Sequence, residues 1–205
     1  MLLTKQALQA VLCASHDVSR PALQYLRIDP DGSVWATNGH VALKVTQSKE
    51  LTADTDFPKV PGIPEDAVSP DATVYLPREL VEKVIKAIPR RPSVPILGRC
   101  LLVGTKTQLF VATTDLETPS VFSTLRHDPG YPNLESVYSE LKPSQSLAVG
   151  VSAAYLVLVA KVESVWQRNN RPVKVTCRGP EGPLSFEWGA EGIEAHMIVM
   201  PVRRL

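Results

Sequence analysis

The chain is 205 residues long, 44% hydrophobic and 21% charged, with a formal net charge of +1. This composition excludes a disordered or fibrous chain and allows one large or two small domains, while the near-neutral charge leaves any nucleic-acid contact to local patches. Three widely spaced cysteines (Cys13, Cys100, Cys177) form no C-x-x-C pair, which argues against a disulfide framework or a zinc site and fits a reducing cytoplasm.

The opening MLLTKQALQAVLCASHD has no basic leader, and Lys5 and Gln6 interrupt its apolar run, so it reads as a short strand and an amphipathic helix rather than a signal peptide. Leu8, Val11 and Leu12 share one face of that helix. Arg20-Pro21 follows, then strand-like ALQYLRI, the turn DPDG, and the strands SVWAT and VALKV. Asn38-Gly39 is a tight-hairpin signal, because both residues tolerate positive φ.

Residues 49–71, rich in proline and mixed charge, read as a surface connection. ATVYL then predicts a strand, and PRELVEKVIKAIP a helix with Pro77 in its first turn and Leu80, Val81, Val84, Ile85 and Ile88 as its stripe. After Arg91-Pro92 come three strands: PILGRCLLV, QLFVATT and SVFSTL. Residues 127–145 form a second connection. SLAVGV then predicts a strand, and Ser152 an N-cap for a helix lined by Tyr155, Leu156, Val159, Val162 and Trp166. Its apolar run stops at Lys161, short of a membrane span. After Arg171-Pro172 come the strands VKVTC, PLSFEW and AHMIVM.

A single pattern, β-α-β-β-β, therefore repeats three times, in about 1–48, 72–126 and 146–201. The fold class is α+β. No catalytic constellation accompanies it. The histidines at 16, 40, 127 and 196 lack metal-ligand spacing, and GRCLLVGTKT has the wrong glycine spacing for a phosphate loop. Asp115 and Glu117, in a predicted strand, are read as solvated carboxylates rather than a catalytic pair. No enzyme activity, cofactor, metal or membrane association is expected.

ATNGHVAL resembles the A-T-D-G-H-R-L-A segment of the bacterial DNA polymerase III β subunit, the sliding clamp. YPNLESVY is similar to the segment that closes clamp domains, and IVMPVRRL to the family's terminal V-V-M-P-M-R-L. RPSVPILGRCLL and TTDLE resemble first-domain segments, R-P-x-L-P-I-L and T-D-L-E. The resemblance implies the DNA-clamp fold, with helices lining a ring interior and antiparallel sheets outside. Units one and two would form a clamp domain (1–140), and 141–205 a further half-domain with the C-terminal tail. Clamp rings contain twelve such units. Three per chain imply a homotetramer, with head-to-tail contacts able to close it.

The resemblance further implies a nucleoid-associated processivity factor that encircles double-stranded DNA without reading bases. DNA-facing candidates are the helix-unit cations Lys5, Arg20, Lys83, Lys86, Arg90, Arg91, Lys161, Arg168 and Arg171, set against Glu79, Glu82 and Glu163. By charge alone each reads equally as part of a solvated helix face. A pocket for short motifs of DNA polymerase and clamp loader is implied at Thr37, Gly39, His40, Val41, Leu43, Pro132, Val137, Val199, Met200, Pro201, Val202, Arg203 and Leu205. Without the resemblance, Val199 and Met200 read as strand core and His40 as a hairpin hydrogen bonder. Three departures bear on partner choice: Asn38 for the usual Asp, Val41 where many clamps carry Arg, and Arg204 lengthening the tail. The alternative is a clamp-like monomeric or dimeric adaptor or decoy that binds such peptides without encircling DNA. The largely apolar last strand, EAHMIVMPV, leans toward edge pairing.

Overall fold

The computed structural model describes residues 1–139, 150–166, 173–177, 182–190 and 192–201. The first unit comprises β1 (Leu2–Thr4), α1 (Lys5–Leu8), which tightens into a 3-10 turn at Gln9–Cys13, β2 (Tyr25–Ile28), β3 (Val34–Thr37) and β4 (Val41–Gln47). Thr4 caps α1, its hydroxyl accepting the Ala7 N–H at 3.2 Å. The short helix α2 (Lys49–Thr52) lies within the first connection.

The second unit comprises β5 (Val74–Pro77), α3 (Arg78–Ala87), β6 (Arg99–Gly104), β7 (Gln108–Thr113) and β8 (Ser120–Leu125). Pro77 is the N-cap of α3 and the last residue of β5, one position earlier than expected. Val81, Val84 and Ile88 are buried, with Leu80 and Ile85 packed beside them, as the helical period requires. Arg78 pairs with Glu82 at 2.8 Å and donates to the Ala14 carbonyl at 2.7 Å, tying α3 to the end of the first helical segment.

The second connection contains α4 (Leu134–Ser139), and the third unit contributes α5 (Ala153–Trp166), β9 (Lys174–Cys177), β10 (Leu184–Ala190) and β11 (Ile193–Val199). The strand expected from SLAVGV falls mostly on residues outside the described ones, as do Arg171-Pro172, and 150–151 are not in a strand. Two sequence expectations are corrected. Leu156 is exposed and Leu158 packs on the core in its place, because α5 is apolar on nearly every face and its periodicity selects none. Asp115 and Glu117 sit in the turn after β7, where Asp115 accepts the N–H groups of Glu117 and Thr118 and Leu116 takes φ +82°.

The strands form two antiparallel sheets, ordered β1-β6-β7-β8 and β5-β2-β3-β4-β11-β10-β9. Units one and two exchange their first strands: β1 pairs with β6, and β5 with β2. Unit three joins differently. Its last strand, β11, runs antiparallel to β4, the last strand of unit one, in register from Val41↔Val199 to Gln47↔Ile193. The helices make one layer: α3 lies on β7 and β8, the first helical segment lies beside α3 on β3 and β4, and α5 lies on the far side of that segment against β10. A single core of buried side chains from all three units fills the space between helices and sheets.

Candidate functional site

The hairpin at 37–41 is built by its own side chains. Thr37 Oγ1 donates to the Val41 carbonyl at 2.8 Å and accepts the Gly39 N–H at 3.0 Å. Asn38 Oδ1 accepts the N–H groups of His40 and Val41 at 3.0 and 2.9 Å. An amide oxygen thus fills the acceptor role a carboxylate would, which gives a physical account of Asn38 at this position. Gly39 has φ +87°, and a Cβ there would come within 3.2 Å of the Arg20 guanidinium. The turn presents the exposed His40 to unit three, where its ring stacks on Tyr155 with centroids 5.6 Å apart and planes 16° from parallel. The His40 carbonyl accepts the Met200 N–H at 3.1 Å, so β11 ends against the hairpin.

A concavity opens beside this contact, with Leu12 and Leu158 as apolar walls and Asp17, Arg20, Asn38 and His40 as polar ones. Leu12, Leu158 and Tyr155 were legible only as core-stripe residues or not at all. Their place in this concavity depends on α5 packing against unit one, which no local pattern encodes.

The expected pocket residues divide into groups. Thr37 is buried and its hydroxyl is engaged, while Gly39 and His40 are exposed. Val41, Leu43 and Val199 are 1%, 0% and 0% exposed and face the helices within the core, so they offer no side-chain surface. Met200 is 42% exposed, and Pro201, Pro132 and Val137 are half-buried. Val202, Arg203 and Leu205 lie outside the described residues.

On the outer face of the large sheet, α4 closes the seam between units one and three. Leu134 packs with Trp35 and Ala42. The Tyr138 ring sits edge-on to Trp35 and His196, at 5.3 and 4.7 Å between centroids. Burial pushes the Tyr138 phenol well above its ordinary pKa, so it remains a hydrogen-bond donor. Arg27 bonds Glu135 and Asp29, and its hydrogen bond holds the Glu135 carboxyl below the usual range. Asp29 also accepts from Trp35 Nε1 and Thr73 Oγ1, each at 2.8 Å. The Tyr131 hydroxyl is buried nearby with no hydrogen-bond partner among the described residues.

Of the expected cations, Lys83, Lys86, Arg90, Arg91 and Lys161 are exposed. Lys5 is half-buried, and burial, followed by the charge of Arg90, lowers its pKa. These two cations, from the first and second units, are therefore neighbours. Arg20 is exposed at the hairpin concavity, 3.9 Å from Asp17. Arg168 and Arg171 lie outside the described residues. Among the described residues, no group of three or more His, Cys, Asp or Glu could hold a metal, and no helix is long and apolar enough to cross a membrane. Burial pushes the Cys13 and Cys100 thiols up to about 12, which suits core packing and not nucleophilic chemistry.

Two β-α-β-β-β units, a third contributing a helix and three strands among the described residues, antiparallel sheets on one side of a single helical layer and sheet continuity from unit to unit make up this architecture. No family model matches the chain, and no curated protein matches its sequence. Solved structures do match. The DNA polymerase sliding clamp of Bacillus subtilis superposes with a TM-score of 0.60 at 14% identity, covering 100% of this chain and 64% of that one. A putative DNA polymerase III beta subunit from Eubacterium rectale gives 0.68 at 9% identity, over 98% and 64%. A. fulgidus PCNA, solved with the C-terminal region of FEN-1 bound, gives 0.58 at 12% identity, over 100% and 98%. The chain has the sliding-clamp fold, and it spans 64% of the length of these bacterial clamps.

Proposed function

We propose that the protein is a short, divergent sliding clamp, a non-enzymatic processivity factor that encircles duplex DNA as a homotetrameric ring. The observation that carries this reading is the β4–β11 pairing, which continues one sheet from unit one into unit three while α5 extends the same helical layer. A fold that propagates sheets outside and helices inside is suited to closing around a rod. Residues 1–140 would act as the clamp domain and 141–205 as a half-domain. Lys83, Lys86, Arg90, Arg91 and Lys161 would offer phosphates a mobile, non-specific attraction, with Lys5 contributing less because it is half-buried. Nucleoid association would follow from the DNA.

Polymerase and loader peptides would dock at the hairpin seam. His40 and Met200 retain accessible surface there, with the half-buried Pro201 following Met200, and Leu12 and Leu158 supply apolar walls beside His40; Pro132 and Val137, half-buried in the second connection, would add to the docking surface from the α4 side. Met200 suits such a site because its thioether adapts to different anchors. Val41, Leu43 and Val199 would support the site from beneath. Absolute mass by light scattering across a dilution series tests the ring. A stable species of four 22.4 kDa chains supports it. A monomer or dimer at high concentration leaves too few units to close, and the peptide-binding adaptor then becomes the better reading.

A further inference from the structure

The turn between β7 and β8 holds an unfavourable conformation with no local return. Leu116 has φ +82°, and it is the one non-glycine residue with positive φ among the described residues. A bulky side chain is disfavoured there because its Cβ crowds the following carbonyl, whereas glycine or asparagine would sit freely. The turn is nevertheless firmly made. Thr114 Oγ1 accepts the Leu116 N–H at 2.9 Å, and Asp115 Oδ1 accepts the N–H groups of Glu117 and Thr118 at 3.1 and 2.6 Å. The result is an apolar side chain held 62% exposed, between the exposed Asp115 and Glu117. Strain maintained by its surroundings in order to display a leucine points to a contact outside the chain.

The same chain carries a matching receptor. The concavity at the hairpin seam, about 460 Å³, has the half-buried Leu12 and Leu158 as apolar walls and the exposed Arg20, His16 and His40 at its mouth. Asp17 lies 3.9 Å from Arg20, but both side chains are half-exposed, so the guanidinium remains available to a further carboxylate. An apolar knob flanked by acids thus faces, in the same sequence, an apolar recess flanked by a cation. The fold supplies a precedent for the direction of approach. In unit one the turn between third and fourth strands, at 37–41, reaches α5 through His40 and Tyr155. The β7–β8 turn holds the same place in unit two, with Leu116 at its tip.

We propose that the Asp115-Leu116-Glu117 turn of one copy docks in the hairpin concavity of a second copy, Leu116 between Leu12 and Leu158 and Glu117 against Arg20, and so competes with incoming peptides. Within one chain the two do not meet, since Leu116 is exposed and is not among the residues lining the concavity. The contact is heterologous, a turn in a recess, so it propagates from chain to chain instead of ending at a two-fold pair. The competition rests on the peptide site proposed above; the contact between copies does not.

The test is light scattering on the full chain across a dilution series. Leu116→Asn keeps the turn, because asparagine adopts this φ readily, and its melting temperature is expected to equal or exceed that of the wild type. The concentration at which mass rises is expected to increase by about tenfold, as when one leucine no longer leaves water on association. Glu117→Arg and Arg20→Glu are each expected to weaken association, and the two together in one chain to restore it. Superimposable curves for wild type and Leu116→Asn overturn the proposal and leave Leu116 to a different protein. A Leu116 effect without rescue by the charge swap places the receptor elsewhere and overturns docking at this concavity. A fluorescent clamp-motif peptide is expected to lower the wild-type mass and to bind Leu116→Asn more tightly than wild type. If the peptide binds neither while the mass effects hold, the contact between copies is supported and the peptide site fails. If it binds both alike and leaves the mass unchanged, the competition is overturned.

Discussion

The Tyr138 hydroxyl donates to the His196 carbonyl at 2.7 Å, while its ring edge rests against the His196 imidazole. The Ala42 carbonyl lies 3.0 Å from the same hydroxyl. One side chain on α4 thus grips β4 and β11 together, at the seam where unit three joins unit one. Removing only the hydroxyl separates the grip from the packing. Tyr138→Phe should lower stability by about 1–2 kcal/mol, the usual result of leaving buried carbonyls without a donor. Denaturant unfolding reads the loss. Hydrogen exchange should locate it in β4, β11 and α4, with β6 and β7 unchanged; uniform loss of protection across both sheets would refute a role specific to the seam.

The chain's first residue is held in place by charge. The Met1 ammonium bonds Asp54 at 2.8 Å, Ser69, and the Leu102 carbonyl at 2.9 Å. Burial opposes the Asp54 charge, but the hydrogen bonds from the ammonium and Ser69 outweigh it and hold the carboxyl below its ordinary 3.8. A depressed folded-state pKa contributes stability that is present above the unfolded value and lost as pH falls through the folded one. Stability should therefore drop on acidification below about 4. Asp54→Asn should be less stable at neutral pH and show a shallower acid limb. Parallel acid limbs in wild type and variant would sink the assignment.

Much of the fold was legible locally. Strand and helix positions follow from period and from punctuation by proline and glycine, and α3 matches its apolar stripe residue for residue because one face is apolar and the other charged. The faces of α5 were not legible, since a helix apolar all round gives Leu156 and Leu158 the same local signal. Strand exchange between units one and two depends on pairing between residues nearly a hundred positions apart, such as Leu2↔Leu101. In the candidate site, the ATNGH hairpin was legible because its turn chemistry is local. Resemblance carried over Val41, Leu43 and Val199 as a segment without saying which side of the sheet each faces. Register decides that, and it turns all three inward. Helix α4 has six residues and follows a proline, which is too short for a periodic signal.

The helical layer gives a charge prediction. Lys83 and Lys86 are exposed on α3, and Glu82 beside them is engaged by Arg78. Lys83→Ala with Lys86→Ala should change stability by less than about 0.5 kcal/mol, because neither side chain is buried. If the layer faces DNA, the slope of log affinity against log salt should fall by roughly 1 for each contacting lysine removed. The same substitutions should leave peptide binding unchanged. An unaltered salt slope would show that these lysines belong to a solvated face and that DNA, if bound, lies elsewhere.

The hairpin seam gives the sharpest separation between fold and function. Met200 is exposed, its backbone is fixed by the His40 carbonyl, and His40 is itself stacked on Tyr155. Among the described residues, deleting 200–205 removes one strand-end hydrogen bond with the exposed Met200 and the half-buried Pro201, so the melting temperature should shift by only a few degrees. Affinity for a fluorescent clamp-motif peptide should be abolished. His40→Ala should weaken the peptide by about tenfold, through loss of a wall, with the fold intact. Gly39→Ala should do so through the backbone, because φ +87° costs a side chain about 1–2 kcal/mol and the added Cβ presses on Arg20. Calorimetric titration of the three variants distinguishes these routes. Unchanged affinity in the tail deletion would remove the docking site from this seam, whatever the ring turns out to be.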